Sequence, residues 1–354
     1  MPPCMECSST RNQGMSVQSW LNRIWYDRAS PPWWLLPFSL LYGAVSGSRR
    51  LLYASHVYRA SRLPCPVVVV GNLSVGGTGK TPLVCWLVAH LMELGYKPGI
   101  VTRGYGGSSS TVRRIWATDD PNIVGDEPIL LARRTGAPVM VGKDRPAAAN
   151  LLMSAGCDVI VSDDGLQHYA LARDCEVVVI DGDRRFGNGW LLPAGPLRES
   201  PGRLKAADAI VVNGGRALLP GALSMRLEAK NAVALRGGEV QPLSALAGRS
   251  VHAIAGIGNP ERFFNMLRSR GIEVAGHALA DHARLTRADI EFGDDKPVFM
   301  TEKDAVKCSA FAGERHYYVP VTACFDSGES TTLLDIVRSK ITNRDRESQG
   351  SIDG

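Results

Sequence analysis

A glycine-rich loop that ends in a lysine and a threonine is the first segment of the sequence that could do chemistry. Residues 66–71 (PVVVVG) predict a short buried strand, residues 72–79 (NLSVGGTG) are the loop, and residues 80–94 have the apolar spacing of a helix. In this order, loop N–H groups can converge on phosphate oxygens while Lys80 reaches the outer phosphates and Thr81 holds Mg²⁺. The predicted phosphate-binding residues are Ser74, Val75, Gly76, Gly77, Thr78, Gly79, Lys80 and Thr81.

One position of this loop departs from the usual pattern. The phosphate-loop pattern G-x-x-x-x-G-K-[ST] begins with glycine, where this chain has Ser74. Gly76, Gly77 and Gly79 still supply the backbone freedom that such a loop needs. A glycine-rich turn without a ligand is the alternative, and the flanking strand and helix favour the phosphate site.

Two adjacent carboxylates follow a second predicted strand. Residues 158–162 (DVIVS) are followed by Asp163 and Asp164. Open α/β sheets bind ligands at the carboxyl ends of their strands, where a carboxylate can orient a magnesium ion or its waters. A solvated turn is the alternative for these aspartates, and the upstream phosphate loop favours the metal site.

Repeated strands indicate how these groups are positioned. The runs 176–180 (EVVVI) and 209–212 (AIVV) end in Asp181 and Asn213. Strands that alternate with helical segments predict an α/β fold with a doubly wound, mostly parallel sheet. Later strands around a predicted helix indicate a smaller second α/β domain, after a hairpin that could act as a hinge between two lobes. The predicted boundaries are a disordered extension at 1–14, a membrane-interface helical segment at 15–60, a phosphate-loop domain at 61–222, a hairpin hinge at 223–241, the smaller domain at 242–341 and a disordered tail at 342–354.

Composition excludes few classes of protein. The chain has 354 residues, of which 45% are hydrophobic and 21% charged, so it is long enough for two domains with separate cores. A net charge of +5 is too small to identify a nucleic-acid binder, although it suits an anionic substrate or membrane surface. Several single cysteines in core-like segments are typical of a reducing compartment. Cys4 and Cys7 have no second pair at zinc spacing.

An apolar, tryptophan-rich segment near the start predicts contact with a membrane surface. Residues 31–46 (PPWWLLPFSLLYGAVS) are flanked by Arg28 on one side and by Arg49 and Arg50 on the other. The run is shorter than the roughly 20 residues that cross a bilayer, and Pro37 is expected to weaken a continuous helix, as is Gly43. A helix in the membrane interface is therefore predicted, with a buried core helix as the alternative.

Seven segments together resemble one enzyme family. They are GNLSVGGTGKTP (71–82), RGYGG (103–107), VGDEP (124–128), VGKDR (141–145), DDGLQH (163–168), FGNGWLLPAGPLRE (186–199) and MTEKDAVKC (300–308). Their order and spacing are similar to those of the tetraacyldisaccharide 4′-kinases, from about residue 17 to about residue 341. The resemblance implies that ATP, with Mg²⁺, phosphorylates the 4′-hydroxyl of tetraacyldisaccharide 1-phosphate, which forms lipid IVA, the bis-phosphorylated lipid A precursor.

The resemblance also implies a cellular setting. The expected protein is peripheral, on the cytoplasmic face of the inner membrane of a Gram-negative bacterium. Its expected partners are the acylated disaccharide phosphate and the membrane surface, with no nucleic acid and no obligate protein partner. This setting suits the aromatic segment and the mildly basic charge of the chain.

Carried over by motif, the resemblance assigns roles to individual residues. Asp126 is the expected general base and His282 its partner, while Lys80 and Arg145 are expected to act on the phosphates. The candidates for the magnesium site are Thr81, Glu127, Asp163, Asp164 and Glu199, and those for substrate contact are Gln167, His168 and Arg198.

Each assignment has a structural alternative. Asp126 could serve only as the cap of a helix that begins near Pro128. His282 could be a solvated loop histidine, and His168 could satisfy backbone groups beneath the sheet edge. Lys303 and Lys307 could contact an acidic substrate, although surface lysines are the simpler interpretation.

Two other functions fit part of the pattern. A phosphate-loop GTPase or an ATP-dependent ligase would share the fold and the magnesium site but act on a soluble partner. The guanine-reading segment N/T-K-x-D has only one similar stretch, TEKD at 301–304, which lies far from the loop along the chain. A non-catalytic membrane adaptor that binds nucleotide would have no need of a base such as Asp126.

Overall fold

A computed structural model of the chain describes residues 17–27, 30–104, 107, 111–215, 219–280 and 283–350. These residues form two α/β lobes, each built on its own sheet. The strands are β1 (Val67–Gly71), β2 (Pro98–Thr102), β3 (Arg113–Ile115), β4 (Val139–Val141), β5 (Val159–Asp163), β6 (Cys175–Asp181), β7 (Ala209–Asn213), β8 (Leu223–Glu228), β9 (Asn231–Ala234), β10 (Val240–Pro242), β11 (Ser250–Ala255), β12 (Glu273–Ala278), β13 (Val298–Thr301), β14 (His316–Val319) and β15 (Thr322–Phe325).

Helices connect the strands and cover the sheets. They are α1 (Val17–Asn22), α2 (Leu36–Ala54), α3 (Lys80–Glu93), α4 (Pro121–Val124), α5 (Asp126–Thr135), α6 (Arg145–Ser154), α7 (Pro260–Arg268), α8 (Arg287–Ile290), α9 (Glu302–Cys308) and α10 (Ser327–Gly350). A π-helical turn (Arg23–Asp27) follows α1, and short 3₁₀ turns occupy Trp33–Leu35, Pro201–Ala206 and Leu243–Leu246.

The sheet of the first lobe has nine strands in the order β15-β8-β7-β6-β1-β5-β2-β4-β3. The inner strands from β8 to β4 run parallel, and the edge strands β3 and β15 are antiparallel to their neighbours. Strands covered on both faces are mostly apolar, and β1, β5 and β6 are buried along their whole length. The predicted doubly wound, mostly parallel sheet is confirmed.

The position of β1 determines where a ligand can bind. β1 lies between β5 and β6, so the chain leaves β1 toward one side of the sheet and later returns to the other. Such a reversal opens a crevice at the carboxyl ends of the strands. Asn72, Asp163, Asp181 and Asn213 all lie at these strand ends.

The second lobe has a six-stranded sheet in the order β10-β9-β14-β13-β11-β12. Strands β11 to β14 run parallel, whereas β9 and β10 are antiparallel to their neighbours. Phe264 and Leu267 of α7 pack with Phe299 of β13 in a core separate from that of the first lobe. The predicted smaller α/β domain is therefore present.

The hairpin predicted at 223–241 differs from the observed pairing. β8 lies between β7 and β15 in the first sheet, whereas β9 pairs with β10 and β14 in the second. The chain thus crosses between the lobes at Ala229 and Lys230. An alternating pattern predicts a strand but does not specify its partner, so β8 and β9 looked like one hairpin.

The chain returns to the first lobe before the predicted boundary at residue 341. β15 pairs with β8, with Thr322 opposite Glu228. Leu333, Val337 and Ile341 of α10 then pack into the core of the first lobe. The second lobe is therefore an insertion between β8 and β15.

The predicted disordered tail at 342–354 is helical as far as the structure describes it. α10 continues to Gly350, and Arg344 Nη2 donates a hydrogen bond to the carbonyl of Leu63 at 2.9 Å. The tail has a polar composition, but the helix is already nucleated by the buried residues that precede it, so it can extend into polar sequence.

The aromatic segment forms a helix on the surface of the first lobe. α2 begins with Pro37 in its first turn, where proline is tolerated, and passes through Gly43 without a break. A Cβ at Gly43 would lie 2.8 Å from Leu191, so this glycine allows close packing. Ser39 Oγ also donates to the carbonyl of Leu191 at 2.8 Å.

The outer face of α2 is not covered. Trp33, Phe38, Leu40, Leu41 and Val45 are exposed, Trp33 by 80%. This exposure contradicts the buried-core alternative for the segment. No helix within the described ranges is both long and apolar enough to cross a membrane.

Candidate active site

The glycine-rich loop connects β1 to α3 at the crevice. Gly76 and Gly79 have φ of 109° and 94°, a region that L side chains rarely adopt, so both positions require glycine. Ser74 does not adopt a positive φ and instead bridges to Leu197 in extended conformation. A side chain at the first pattern position is therefore compatible with this loop. Val75 N–H donates to the carbonyl of Pro196 at 2.8 Å, which anchors the loop to the 186–199 segment.

Asn213 holds the far side of the loop. Its Nδ2 donates to the carbonyl of Thr78 at 2.9 Å, and a Cβ at Gly79 would approach this nitrogen to 2.3 Å. The sequence placed Asn213 at the end of a strand but did not indicate this role. The signal was available in principle, because polar residues at strand ends in such sheets face the ligand crevice.

Asp164 is paired with two basic side chains. It has a positive φ of 49°, and its carboxylate lies 3.4 Å from Lys80 Nζ and 3.0 Å from Arg198 Nη1. Burial raises the pKa of Asp164, but Lys80 and Arg198 outweigh burial and hold this pKa well below its ordinary value. Asp164 therefore orients the loop lysine rather than offering an unpaired metal ligand.

Asp163 has the properties of a metal ligand. Its side chain is buried, and Oδ1 has no hydrogen-bond partner. Burial raises the pKa of Asp163 to about 7, with further contributions from Glu127 and Asp164. A hard cation would stabilise the charged form of this carboxylate.

The donor set fits magnesium bound to a nucleotide. Thr81 lies in the first turn of α3, and Asp163 ends the neighbouring strand β5, so a hydroxyl and a carboxylate lie at the same edge of the sheet. Among the described residues, no three His, Cys, Asp or Glu side chains cluster closely enough to hold a metal alone. Mg²⁺ usually keeps several waters and takes phosphate oxygens, so two protein ligands suffice.

Arg145 is buried beneath the crevice. Its Nη1 donates to Ser162 Oγ at 2.7 Å and its Nη2 to the carbonyl of Asp164 at 2.9 Å. Burial lowers the pKa of Arg145 to about 10. The guanidinium thus supports the end of β5, and its effect on a phosphate would pass through the position of Asp163 and Asp164.

Asp126 and Glu127 begin helix α5 at the same edge of the sheet. Gly125, with φ of 90°, is the N-cap residue, so Asp126 is the first residue of the helix rather than its cap. Asp126 Oδ1 accepts a hydrogen bond from the N–H of Glu127 at 2.9 Å. A helix N-terminus stabilises a carboxylate and suits a base that works in its ionised form. The expected partner of Asp126, His282, lies outside the described residues.

Two lysines of α9 reach these carboxylates from the second lobe. Lys307 Nζ lies 3.4 Å from Asp126 Oδ2 and 3.2 Å from the fully buried Asp304, and Lys303 is hydrogen-bonded to Glu127. Burial raises the pKa of Glu127, but Lys303 more than offsets this and the net pKa is lowered. The simpler interpretation of both lysines as surface residues was therefore wrong, because lobe contacts are not visible in a local pattern.

The remaining predicted residues divide between two places. Arg198 contacts both Asp164 and Gln167, and Gln167 Nε2 donates to the carbonyl of Asn72 at 3.1 Å. His168 Nε2 lies 3.0 Å from the carbonyl of Lys143, which agrees with the backbone-supporting alternative. Burial lowers the pKa of His168.

Glu199 lies in different surroundings from Asp163. It accepts a hydrogen bond from Tyr169 at 2.7 Å and pairs with Arg203 at 3.6 Å. It also lines a cavity of about 450 Å³ between α2 and Trp190. The contacts with Tyr169 and Arg203 involve only Oε2, whereas Oε1 is buried without a hydrogen-bond partner, and magnesium binding by Glu199 stays a prediction.

These groups are arranged for phosphoryl transfer. A phosphate loop, an unsatisfied buried carboxylate and a carboxylate at a helix N-terminus surround one crevice. Such an arrangement can hold a nucleotide triphosphate, bind its metal ion and accept a proton from an attacking hydroxyl.

Comparison with known proteins gives a consistent result. Residues 31–340 match the family model described as tetraacyldisaccharide-1-P 4′-kinase, named LpxK. The chain is 50% identical over 326 residues to a tetraacyldisaccharide 4′-kinase of Xanthomonas axonopodis pv. citri, covering 88% of this chain and 94% of the relative. It is 47% identical over 323 residues to that of Methylobacillus flagellatus, covering 91% and 96%.

A solved structure agrees with the fold. The LpxK protein of Aquifex aeolicus, crystallised in complex with ATP, superposes with a TM-score of 0.72 at 28% identity, covering 86% of this chain and 98% of the other. The resemblance inferred from the seven segments is confirmed. The chain belongs to the tetraacyldisaccharide-1-phosphate 4′-kinase family.

Proposed function

We propose that the protein transfers the γ-phosphate of ATP to the 4′-hydroxyl of tetraacyldisaccharide 1-phosphate and forms lipid IVA. Membership of the family supports this reaction. The observation that carries the proposal is that the phosphate loop, Asp163 and Asp126 meet at one sheet edge. ATP and Mg²⁺ are the cofactors.

The loop and its neighbours bind the triphosphate. Backbone N–H groups of the loop and Lys80 hold the phosphate oxygens. Thr81 and Asp163 are the residues that would hold Mg²⁺, which would supply positive charge to offset that of the phosphates. Arg145 keeps the end of β5 in place through its bonds to Ser162 and Asp164.

Asp126 accepts the proton of the attacking hydroxyl. The 4′-oxygen forms a bond to the γ-phosphorus, the bond from that phosphorus to the β,γ-bridging oxygen breaks, and ADP leaves. The hydroxyl proton passes to the Asp126 carboxylate. We propose His282 as the residue that orients Asp126, as the family resemblance implies.

The structural setting of TEKD argues against a GTPase. Thr301 and Asp304 lie at the junction of β13 and α9 in the second lobe. Asp304 is fully buried and accepts hydrogen bonds from the N–H of Gly256 at 2.9 Å and from Thr301 Oγ1 at 2.6 Å. Its carboxylate therefore supports the fold and is not available to read a base.

The lipid acceptor and α2 suggest a membrane setting. We infer that the protein binds the cytoplasmic face of the inner membrane through the exposed apolar face of α2, with Arg49 and Arg50 facing anionic headgroups. We propose that the cavity between α2 and Trp190 receives part of the amphiphilic acceptor. ATP is available on that side of the membrane, which supports the orientation.

Transfer of γ-³²P from ATP to purified tetraacyldisaccharide 1-phosphate in detergent micelles tests the proposal. We expect labelled lipid with the wild-type protein and a loss of about 10²-fold or more with Asp126→Asn, a typical contribution of a positioned base. Folded wild-type protein that binds ATP but labels no lipid would overturn the reaction. Full activity of Asp126→Asn would overturn the role of Asp126.

A further inference from the structure

We propose that Arg262 of the second lobe positions the phosphate loop through Asn213 and thereby couples ATP binding to the placement of that lobe. The inference rests on the proposed function in so far as ATP is the nucleotide. It adds a positioning residue that acts from outside the nucleotide-binding lobe.

Arg262 reaches across the crevice to two strand ends of the first lobe. It lies in α7, and its Nη2 donates to Asn213 Oδ1 at 3.0 Å while Nη1 lies 3.2 Å from Asp181 Oδ2. Gly214 makes room for it, because a Cβ at Gly214 would lie 2.8 Å from Nη2. The backbone carbonyl of Asn213 also accepts from Nη2, at 3.5 Å, so the guanidinium is held by acceptors from both β6 and β7.

Both acceptors are themselves fixed. Asp181 is buried, and its Oδ1 accepts hydrogen bonds from the N–H groups of Asp183 and Arg184, each at 3.0 Å. Asn213 is completely buried, and its Nδ2 donates to the carbonyl of Thr78. With Oδ1 bound to Arg262, the Asn213 amide has one orientation that satisfies both ends.

This orientation determines the direction of a loop N–H group. The peptide that joins Thr78 to Gly79 is planar and trans, so its N–H points opposite to its carbonyl. Because the Thr78 carbonyl is held toward Asn213, the Gly79 N–H is held away from it. The peptide cannot rotate freely, although Gly79 itself could adopt many conformations. A hydrogen-bond chain of Arg262, Asn213 and Thr78 therefore joins the second lobe to the phosphate loop.

A second contact between the lobes separates this effect from simple lobe attachment. Arg184 Nη1 donates to the carbonyl of Gly258, which precedes α7, at 2.8 Å. Loss of the Arg262 side chain leaves this contact in place. A change in ATP binding after such a loss would then report on the loop rather than on detachment of the lobe.

ATP binding by Arg262→Met, measured by isothermal titration calorimetry with and without Mg²⁺, tests the inference. We expect about tenfold weaker binding, within the usual range for coupling between two sites. KM for ATP should rise similarly, while KM for the lipid and kcat at saturating ATP change by less than about twofold. Arg262→Lys keeps one donor and should recover part of the affinity.

Two further variants complete the design. Arg268→Met, on the same helix, removes an exposed ion pair in which Nη1 lies 3.2 Å from Glu261 Oε2. This control variant should bind ATP as tightly as the wild-type protein does. The double variant Arg262→Met/Asn213→Ala should bind ATP no more weakly than Asn213→Ala alone, because Arg262 acts through Asn213.

Wild-type affinity in Arg262→Met, or additive losses in the double variant, would overturn the inference. If Arg262→Met does not fold, ATP binding by Arg262→Lys and by Asn213→Ala is measured instead. Wild-type affinity in both of these variants would overturn the inference. Wild-type protein that binds ATP without labelling lipid would contradict the proposed function alone, since the binding series does not depend on transfer.

Discussion

Lys80 and Asp164 form an ion pair at the phosphate loop, with Nζ 3.4 Å from Oδ1. The same carboxylate accepts two hydrogen bonds from Arg198, at 3.0 and 3.1 Å. A phosphate that enters the loop competes with Asp164 for Lys80, and Arg198 remains to balance the carboxylate. Asp164 thus keeps the Lys80 side chain next to the phosphate loop. Arg198 continues to neutralise the Asp164 carboxylate when Lys80 binds a phosphate instead.

Lys80→Met should abolish most turnover without unfolding the protein. We expect kcat for lipid phosphorylation to fall by about 10²- to 10³-fold, the usual effect of removing one donor to developing charge. The melting temperature should change little, because Arg198 still neutralises Asp164. Lys230→Met, at an exposed lysine that pairs with Glu228, is the control and should retain full activity. Retained activity in Lys80→Met would rule out the phosphate-loop assignment.

Asp163→Asn should remove a pH dependence of stability in protein free of metal and nucleotide. The pKa of Asp163 is raised from 3.8 to about 7 on folding, so the folded state binds a proton that the unfolded state releases. The free energy of unfolding is then highest below about pH 4. It falls as the pH rises to about 7, by at most about 1.4 kcal/mol per pH unit. Urea unfolding between pH 5 and 8 measures this slope. An equal slope in wild type and Asp163→Asn would contradict the assigned burial.

Arg134→Met should weaken the contact between the lobes. Arg134 pairs with Glu302 at 2.7 Å and donates to the carbonyl of Val321 at 3.1 Å, and both side chains are largely buried. Removing one partner leaves Glu302 unpaired at a cost of about 2 kcal/mol, reduced from the fully buried case by partial solvent access.

The exposed pair of Arg226 and Asp326 provides the matched control. Arg226→Met should leave the free energy of unfolding nearly unchanged, because solvent screens an exposed ion pair. Urea midpoints of the two variants decide the comparison, and equal shifts would mean that the Arg134 contact contributes no more than a surface pair.

The triple variant Phe38→Ser/Leu41→Ser/Val45→Ser should be released from membranes. These exposed side chains share one face of α2, and each loses about 1.5 kcal/mol or more of apolar burial in the interface. Binding to vesicles that contain anionic lipid should fall at least about 100-fold in sedimentation assays. Met92→Ser/Leu94→Ser, which alters exposed apolar residues at the end of α3, is the control. Unchanged binding of the triple variant would remove α2 from the interface.

The phosphate loop and the strand-end carboxylates could be predicted because they depend on local order. A buried β-branched run, glycines and a lysine at a helix start specify one another within 20 residues, so β1 and Lys80 were correctly placed. Asp163 was predicted in the same local way, from the apolar run that immediately precedes it. The sequence could not predict which of the later strands belong to the first sheet and which to the second. β8 and β9 have similar alternation, and only long-range pairing distinguishes them.

The ion-pair partners of the site were also beyond local reasoning. Lys303 and Lys307 lie about 180 residues from the carboxylates that they contact, and nothing in their own segment distinguishes them from surface lysines. Arg262 was missed for the same reason. The contacts of Glu199 with Tyr169 and Arg203 were likewise not visible in its motif.

The pairing of Glu228 with Thr322 brings the two crossings between the lobes side by side. Residues directly opposite in an antiparallel pair lie about 5 Å apart, a gap that a two-residue turn can close. The whole second lobe could therefore be excised between these residues and replaced by such a turn, which would make β8 and β15 a simple hairpin. The same geometry makes this site suitable for inserting a foreign domain whose termini are close together.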